Sequence, residues 1–340
     1  MATIKDVARD VGLSITTVSR ALNNYDDVAE TTRLRVQAVA TRLDYHPNAA
    51  ARSLQGSHTN TIGLVIPLAL HRSYDAFWSE FIGGVAGMCA RRGVDLLVSA
   101  TDAPDAPDAL EQGFQRLVRG HRVDGLLICD VRIADERIAY LQKCHLPFVA
   151  FGRTTGACAY SYVDVDGALG VARAMEHLLR LGHRRIAYLG VDPRFGFSHF
   201  RLAGYRTALT QARVGCDETL VRHGLAEEDI PAALAALLNL PDPPTAILAA
   251  ADILALAVLR AARAMGRAVP DDLSLIAFDD TLLVQHADPS LTAIGQPNRR
   301  LGEEGMTLLL ERAAAPALPP VQRLIAPTLV VRQSTAPPRP

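Results

Sequence analysis

The sequence predicts a small all-α head followed by a two-lobed α/β domain that contains two doubly wound parallel sheets. Two short helical patterns near the start are joined by a turn at Gly12. From Thr61 onward, short apolar strands alternate with amphipathic helices. With 340 residues, of which 49% are apolar, the chain is long enough for a small module plus a larger domain with its own core.

The head has the pattern of a helix-turn-helix. Thr3 can cap a first helix, and Ser14 can cap a second helix that runs to Leu22. Gly12 lies between them, where a left-handed backbone conformation favours glycine. A third helix is predicted over residues 30–43. In such a motif the second helix can lie in the major groove of DNA.

Several side chains on and near the second helix are left facing outward. The candidate base contacts are Ile15, Thr16, Ser19 and Arg20. Arginine can pair bidentately with guanine, and threonine can meet a base edge or a thymine methyl group. The candidate phosphate contacts, which fix register without reading sequence, are Thr17, Asn23 and Thr32. The alternative interpretation is a structural helical cap on which Arg20 is merely solvated.

The pattern at residues 47–57 predicts a short hinge helix that connects the head, residues 1–46, to the rest of the chain. Pro47 suits a helix start and Gly56 lies just past the expected end. A helix of this length is too short to be stable alone in water, which favours folding coupled to binding. Two copies of Leu54 could wedge into a base step in the minor groove. The alternative is a linker with an incidental leucine.

These segments together resemble the LacI/GalR family of bacterial transcription regulators. The matching stretches are Thr3-Ile4-Lys5-Asp6-Val7-Ala8, then Ser14 to Leu22, then Tyr45-His46-Pro47-Asn48 through Leu54. The resemblance implies that Ile15, Thr16 and Arg20 read the major groove. It also implies that Asn48, Ala51 and Leu54 belong to a hinge helix that folds when a dimer sits on operator DNA.

The region from residue 58 to 340 predicts alternating β and α segments. Strands are expected at 61–67, 95–99, 125–129, 148–151, 186–190, 245–250 and 273–278, and helices near 77–92, 108–119, 135–143, 167–181, 198–212, 231–240 and 252–265. Ligands bind doubly wound folds beyond the carboxyl ends of the strands, here most naturally in a cleft between two lobes.

The family resemblance continues through this region. The matching stretches are 181–187 with Gly190, Ser198 to Tyr205, Ala277 to Asp280, and Leu291 to Ile294. They imply a domain similar to periplasmic sugar-binding proteins, with crossovers near residues 160, 291 and 326. Lobe 1 would comprise about 60–160 and 292–325, and lobe 2 about 161–291 and 326–340.

Candidate effector-binding residues lie at the predicted strand and loop ends. They are Phe77, Trp78, Asp130, Arg153, Arg201, Asp252 and Asp279. Aromatic faces stack on sugar rings, and carboxylates and arginines bond vicinal hydroxyls. Core packing is an alternative role for Trp78, and helix capping is one for Asp252. For Arg201 and Asp279, the family resemblance implies contact with the ligand. Ala251 stands where many sugar-responsive members of the family carry asparagine, and Arg153 resembles the α-glucoside-responsive branch.

Other chemistries find no support in the sequence. A GxGxxG motif after the first strand, a GxxxxGK[ST] loop, a GxSxG elbow, an HExxH motif and paired metal-ligand spacing are all missing. We therefore expect no enzyme, cofactor or metal. Five scattered cysteines and the lack of a signal-peptide pattern favour a cytoplasmic protein. The net charge of −1 does not by itself indicate a polyanionic partner.

The expected function is a homodimeric repressor on a palindromic operator, released by a small-molecule inducer that is a sugar. One alternative is a regulator that needs a corepressor such as a purine. A second is a sugar-binding protein that does not bind DNA, although residues 1–56 argue against it. The helix near 77–92, with Phe81, Val85 and Met88 along one stripe, is the expected dimer surface.

Overall fold

The computed structural model describes residues 2–23, 25–45, 59–66, 76–100, 114–156 and 159–339. The chain divides into two compact units, one ending at Thr59 and the other beginning at Asn60. The hinge candidates Asn48, Ala51 and Leu54 lie outside the described residues. Among the residues that are described, no helix is both long and apolar enough to cross a membrane.

In the described part of the first unit the helices are α1 (Ile4–Val11), α2 (Ile15–Leu22) and α3 (Glu30–Arg42). At the start of α1, the Thr3 backbone N–H and hydroxyl both donate to the Asp6 carboxylate, at 2.9 and 2.7 Å. These hydrogen bonds hold the pKa of Asp6 below its ordinary value. Gly12 ends α1 with φ of 71°, in the left-handed region that the sequence predicted.

The head has a small core of its own. Its fully or nearly buried members are Val7, Ala8, Val11, Val18, Ala21, Val28, Val36 and Ala40. These small alanine and valine side chains let the three short helices approach closely, and the outer face of α2 carries Ile15 and polar side chains. The helix-turn-helix prediction is therefore confirmed for the described part of the head.

The second unit contains two six-stranded sheets. The first sheet, in lobe 1, has the order β11-β5-β4-β3-β1-β2, and every neighbouring pair is parallel. Its strands are β1 (Thr61–Ile66), β2 (Asp95–Ala100), β3 (Gly125–Ile128), β4 (Phe148–Phe151), β5 (Tyr162–Val165) and β11 (Gln322–Ile325). The helices of this lobe are α4 (Ala76–Arg92), residues 114–119, α5 (Glu136–Cys144) and α11 (Asn298–Ala314).

The second sheet, in lobe 2, has the order β12-β10-β9-β8-β6-β7. Its strands are β6 (Ile186–Leu189), β7 (Val221–Arg222), β8 (Ala246–Ala249), β9 (Ser274–Phe278), β10 (Thr292–Gly295) and β12 (Thr328–Val330). Its helices are α6 (Gly167–Arg180), α7 (Gly196–Gln211), α8 (Ile230–Leu238), α9 (Asp252–Ala264) and α10 (Leu282–Gln285). The edge strand β12 is antiparallel to β10, so this sheet is mixed rather than wholly parallel.

Sheet membership moves two of the expected lobe boundaries. β5 pairs with β4 and β11 of the first sheet, although residues after 160 were expected in lobe 2. β10 pairs with β9 of the second sheet, although residues 292 onward were expected in lobe 1. Each of these strands is the last one before a crossover, and hydropathy alone does not indicate which sheet such a strand joins. The third crossover lies between β11 and β12, as expected near residue 326.

Helix α4 packs against α11, and this contact takes up most of the apolar stripe that was expected to form a dimer surface. Phe81 and Val85 are completely buried in the core of lobe 1. A Cβ atom on Gly302 of α11 would lie 2.2 Å from the Phe81 carbonyl oxygen. The two helix backbones are therefore in direct contact, and Phe81 and Val85 are covered within the lobe, whereas Met88, the third residue of the expected stripe, is half-buried.

We expect Gly302→Ala to destabilise the protein by about 1–3 kcal/mol, because the added methyl group must push α11 away from α4. Denaturant unfolding measures this change. Gly305→Ala in the same helix is a matched control, since its Cβ would meet the Leu127 side chain at 3.4 Å, an ordinary contact. Equal stability of the two variants would contradict the close packing of these helices.

Candidate functional site

The outer face of α2 has the exposure expected for a DNA-contacting surface. Ile15 is 44% exposed, Thr16 is also exposed, and Ser19 and Arg20 are half-buried. Ser14 caps the helix by accepting from the Thr17 N–H at 3.1 Å. The Thr17 hydroxyl lies 2.9 Å from the Ser14 hydroxyl, so this pair shares a hydrogen bond at the helix start.

Arg20 is held by neighbours within the head. Its Nη2 atom lies 2.5 Å from an Asp27 carboxylate oxygen, and its guanidinium carbon lies 4.9 Å from the centre of the Tyr25 ring. Both partners follow α2 in the chain. Asp27 and Tyr25 together restrict the direction of the long Arg20 side chain. A contact between Arg20 and a DNA base must therefore compete with the ion pair to Asp27. Sequence inspection did not identify this carboxylate.

The candidate phosphate contacts lie at the edges of this surface. Asn23 is exposed just after α2, and its side-chain amide donates to the Ser19 hydroxyl at 3.5 Å. Thr32 is half-buried in the first turn of α3. The structure thus places Ile15, Thr16, Thr17, Ser19, Arg20, Asn23 and Thr32 in one small unit, with α2 at its centre.

In the second unit, a cleft of about 610 Å³ lies between the two lobes, at the carboxyl ends of the strands. Six of the seven predicted effector residues line it: Phe77, Trp78, Asp130, Arg201, Asp252 and Asp279. The seventh, Arg153, touches a carboxylate that lines the cleft, Asp164, at 3.2 Å. The structure therefore brings six of the predicted residues together around one cleft and places the seventh just behind its lining.

Arg201, near the start of α7, is the central cation of the cleft. The residue is only 7% exposed, and its Nη1 donates to the Ala250 carbonyl oxygen at 2.6 Å. Its guanidinium carbon stacks 3.5 Å from the centre of the Phe278 ring. Its Nε atom is buried without a hydrogen-bond partner among the described residues. A buried donor of this kind is costly unless a ligand or water accepts from it.

Asp279 follows β9 and lies across from this cation. Its φ of 78° is unusual for a residue other than glycine, and such conformations cluster at functional sites. Gln296, at the second crossover, donates a hydrogen bond to its carboxylate. Burial raises the pKa of Asp279, and the Arg201 charge opposes that rise. The cleft thus links the Asp279 carboxylate and the buried Arg201 guanidinium to a crossover segment.

Asp252 combines the two roles that the sequence left open. It lines the cleft, and it accepts from the Ile253 N–H at 2.7 Å and from the Thr281 hydroxyl at 2.8 Å. The residue before it, Ala251, occupies the cap position of α9 and offers no side-chain hydrogen bond. The carboxylate therefore stabilises the helix start while one edge of it faces the cleft.

Two acidic groups of lobe 1 complete the polar lining. Asp130 follows β3 with φ of 50°, and Asp164 lies on β5. Burial raises the pKa of Asp164 to about 7, even though Arg153 opposes the rise. Arg153 Nε is buried and has no hydrogen bond to any residue that the structure describes, so its contact with Asp164 is electrostatic. Sequence reasoning missed Asp164 because β5 was not recognised as a strand of lobe 1.

Aromatic rings form both walls of the cleft. Lobe 1 supplies Phe77, Trp78 and Phe151, and lobe 2 supplies Phe195, Phe197, Phe200 and Phe278. Phe77 and Trp78 are 8% and 7% exposed and pack edge to face. They therefore belong to the core of lobe 1 and also line the cleft. The sequence analysis did not include Phe195, Phe197 and Phe200 among the candidates. Three phenylalanines so close together just before Arg201 could have indicated an aromatic wall at this site.

The charges of the lining restrict what can bind. Of the lining residues that the structure describes, seven are acidic: Asp130, Asp164, Asp192, Glu227, Glu228, Asp252 and Asp279. Against them stands Arg201, with Arg153 just behind the lining. A phosphorylated or otherwise anionic ligand would be repelled, whereas hydroxyl groups can pair with carboxylates and arginine alike. Within the described part of the chain, no cluster of His, Cys, Asp or Glu could hold a metal ion.

The raised pKa of Asp164 predicts a pH dependence of stability. The unfolded chain ionises this carboxyl near its ordinary value of 3.8, whereas the folded chain does so near 7, so stability falls as pH rises between those values. Asp164→Asn keeps the neutral form at every pH. Its stability gain over the wild type should be larger at pH 8 than at pH 5, on the order of 2 kcal/mol. Unfolding midpoints at the two pH values test this, and a pH-independent difference would contradict it.

Comparisons with known proteins agree with both parts of the architecture. Residues 3–48 match the family model described as bacterial regulatory proteins, lacI family. Residues 175–335 match the model of a periplasmic binding protein-like domain.

Full-length relatives cover nearly all of the chain. The HTH-type transcriptional regulator CelR of Thermobifida fusca is 33% identical, over 98% of both chains. AglR of Rhizobium meliloti, another HTH-type transcriptional regulator, is 34% identical over 98% of this chain and 94% of its own. The fold also matches a CelR–cellobiose complex, with a TM-score of 0.74, 32% identity and coverage of 98% and 100%.

A second solved structure extends the match to a protein bound to DNA. The Lac repressor dimer bound to operator and an anti-inducer has a TM-score of 0.84 and 28% identity, with coverage of 98% of this chain and 99% of that one. Identity above 30% over nearly the whole length of CelR and AglR establishes the family. The chain belongs to the LacI family of bacterial regulatory proteins and is a DNA-binding transcription regulator, not an enzyme.

Proposed function

We propose that this regulator represses transcription in the cytoplasm as a homodimer on a palindromic operator, and that a neutral sugar in the cleft releases it. The observation that carries the sugar assignment is the buried Arg201 Nε, which has no partner among the described residues and lies in a cleft walled by aromatic rings. Sugar rings offer the apolar faces and the hydroxyl acceptors that such a site requires.

Two further features support an uncharged sugar of more than one ring. The cleft volume of about 610 Å³ lies within the ordinary range for small-molecule sites and leaves room for a disaccharide. The acidic excess disfavours phosphorylated sugars and nucleotides. CelR, which shares 32% identity with this chain, has been solved in complex with cellobiose. Cellobiose is therefore the first ligand to test, with maltose as the α-linked counterpart.

Release of DNA requires coupling between the cleft and the head. Asp279 accepts a hydrogen bond from Gln296 of a crossover segment, so a ligand that engages Asp279 also acts on the hinge between the lobes. An inducer must bind the released state better than the operator-bound state, and this preference is the coupling free energy. In this proposal residues 47–57, with Leu54, form the hinge helix that responds.

For the dimer, we propose a contact through exposed apolar surfaces away from α4. On lobe 2, Leu282 and Leu283 are 62% and 59% exposed beside a groove lined by Leu256 and Leu259. On lobe 1, Val98 is 45% exposed on the edge strand β2. Exposed apolar patches of this kind mark interfaces, and the Lac repressor structure that this chain resembles is a dimer.

The direct test measures operator affinity during titration with cellobiose, maltose and adenine. We expect cellobiose or maltose to weaken operator binding at a fixed salt concentration. Tightening by adenine would instead support the corepressor alternative. If none of the three changes operator affinity or the melting temperature, the assignment of a sugar of this class is wrong.

Arg201→Lys tests the sugar contact while keeping the buried charge. Lysine lacks Nε and the planar fork, so the sugar should lose about 1.5–3 kcal/mol of binding free energy, measured by calorimetry. Operator binding without sugar should stay near the wild-type value. The control is Arg206→Lys in the same helix, where an exposed arginine pairs with Glu218 at 2.8 Å. Unchanged sugar affinity in Arg201→Lys would contradict the site.

Arg20→Ala tests the DNA surface. We expect base preference to relax by about 1–3 kcal/mol at the position that Arg20 contacts, as read by selection from a randomised operator. Arg9→Ala is the control, because Arg9 is a highly exposed arginine on α1 with its own acidic partner, Asp6. The same selected consensus from Arg20→Ala and wild type would refute the assignment.

A further inference from the structure

The two lobes touch each other directly at a place distinct from their crossovers. Residues 131–133 of lobe 1 and 194–196 of lobe 2 run antiparallel, with Arg132 opposite Phe195. The Gly196 N–H donates to the Val131 carbonyl oxygen, and the Ile133 N–H donates to the Arg194 carbonyl oxygen, both at 2.9 Å. We call these two segments the clasp.

The clasp lies away from the hinge side of the sheets. The crossovers leave from β5, β10 and β11, and each of these strands is at an edge of its sheet or next to the edge strand. The clasp segments follow β3 and β6, and β6 is separated from β10 by β8 and β9. Any rotation that opens the lobes about the crossovers must therefore separate the clasp and break its two hydrogen bonds.

Each half of the clasp is held by hydrogen bonds and ion pairs within its own lobe. In lobe 1, Arg137 donates to the carbonyl oxygens of Cys129 and Asp130, at 2.9 and 3.1 Å, and pairs with the Asp135 carboxylate at 2.6 Å. Asp135 in turn accepts from the Arg132 N–H at 3.1 Å. A buried, bidentate network of this kind fixes loop geometry rather than leaving it adaptable.

In lobe 2, Asp192 holds the other clasp segment in the way that Asp135 holds the segment of lobe 1. It accepts from the Arg194 N–H at 2.8 Å and pairs with the Arg194 guanidinium at 2.6 Å. Two preorganised loops lose little conformational entropy when they meet, so a contact of only two hydrogen bonds can still favour closure.

Gly196 permits the approach. A Cβ atom at this position would lie 2.1 Å from the Arg153 carbonyl oxygen, across the lobe interface. Next to it, the Arg153 guanidinium carbon of lobe 1 lies 3.9 Å from the centre of the Phe200 ring of lobe 2. The interface is therefore closed by backbone contact at glycine and by a cation stacked on an aromatic face.

Two clasp residues, Val131 and Phe195, also line the cleft. We propose that the clasp is the gate of the cleft: it must open for a small molecule to enter or leave, and its closure sets how long the molecule stays. The identity of that molecule rests on the proposed function, but the gate itself does not.

A disulfide tests the contact. Residues directly opposite in a pair that exchanges no hydrogen bonds have Cα atoms about 4.5 Å apart, within the range that a disulfide spans. Arg132→Cys and Phe195→Cys together should crosslink under mild oxidation, as shown by peptide mass mapping. Each single substitution serves as the background for the native thiols. A double variant that crosslinks no more than the single ones overturns the proposal.

Quenching of Trp78 by acrylamide tests the gate without any sugar. Trp78 is the chain's one tryptophan, and it lines the cleft. Gly196→Ala, which blocks closure, should raise the quenching constant about twofold or more, and the oxidised double variant should lower it relative to its own reduced form. Gly215→Ala in the same lobe, where a Cβ meets nothing within 4 Å, should match the wild type.

Equal quenching in Gly196→Ala and Gly215→Ala, with both variants folded by circular dichroism, overturns the gate. These measurements need no sugar, so a failure of cellobiose to bind would count against the proposed effector and leave the test of the clasp intact. If cellobiose does bind, its dissociation should be slower from the oxidised than from the reduced double variant.

Discussion

The cleft depends on the burial of one guanidinium group. Arg201 is removed from water, and the protein compensates with the Ala250 carbonyl oxygen, the face of Phe278 and the charge of Asp279. Burial acts to lower the pKa of Arg201, and the surrounding carboxylates oppose this change. Taking a charge out of water is unfavourable unless its hydrogen bonds are replaced, and one donor, Nε, is not satisfied within the described structure. A hydrogen-bond acceptor on a ligand would satisfy this donor.

The same residues connect the ligand cleft to a crossover between the lobes. Asp279 is held in an unusual backbone conformation at the end of β9 and is bonded by Gln296, which belongs to a crossover. Phe200, one residue before Arg201, meets Arg153 from the other lobe. The residues best placed to touch a ligand thus lie in contact with, or next to, groups of a crossover and of the other lobe. In the proposed mechanism, the hinge segment responds to a change in the occupancy of these residues and thereby alters how the head binds DNA.

The sequence predicted the elements well because its signals were local. The caps at Thr3 and Ser14, the turn at Gly12 and the apolar strands each follow from neighbouring residues. Strand ends, together with the family resemblance, then indicated Arg201 and Asp279. What the sequence could not indicate depends on contacts between distant segments. The sheet membership of β5 and β10, and with it Asp164, required knowledge of pairing partners. The sequence also could not show that α11, which is distant in the chain, covers Phe81 and Val85. The Asp27 partner of Arg20 lies beyond the end of its helix and was missed for a similar reason.

The most direct test of the proposed effector site is a crystal structure of the protein with the sugar that alters operator binding. We predict that a ring hydroxyl accepts a hydrogen bond from Arg201 Nε while another donates to the Asp279 carboxylate, with an aromatic wall against the sugar face. A sugar bound outside the cleft, or bound within it with Arg201 Nε still unpaired, would contradict the central claim that this buried arginine is completed by the effector.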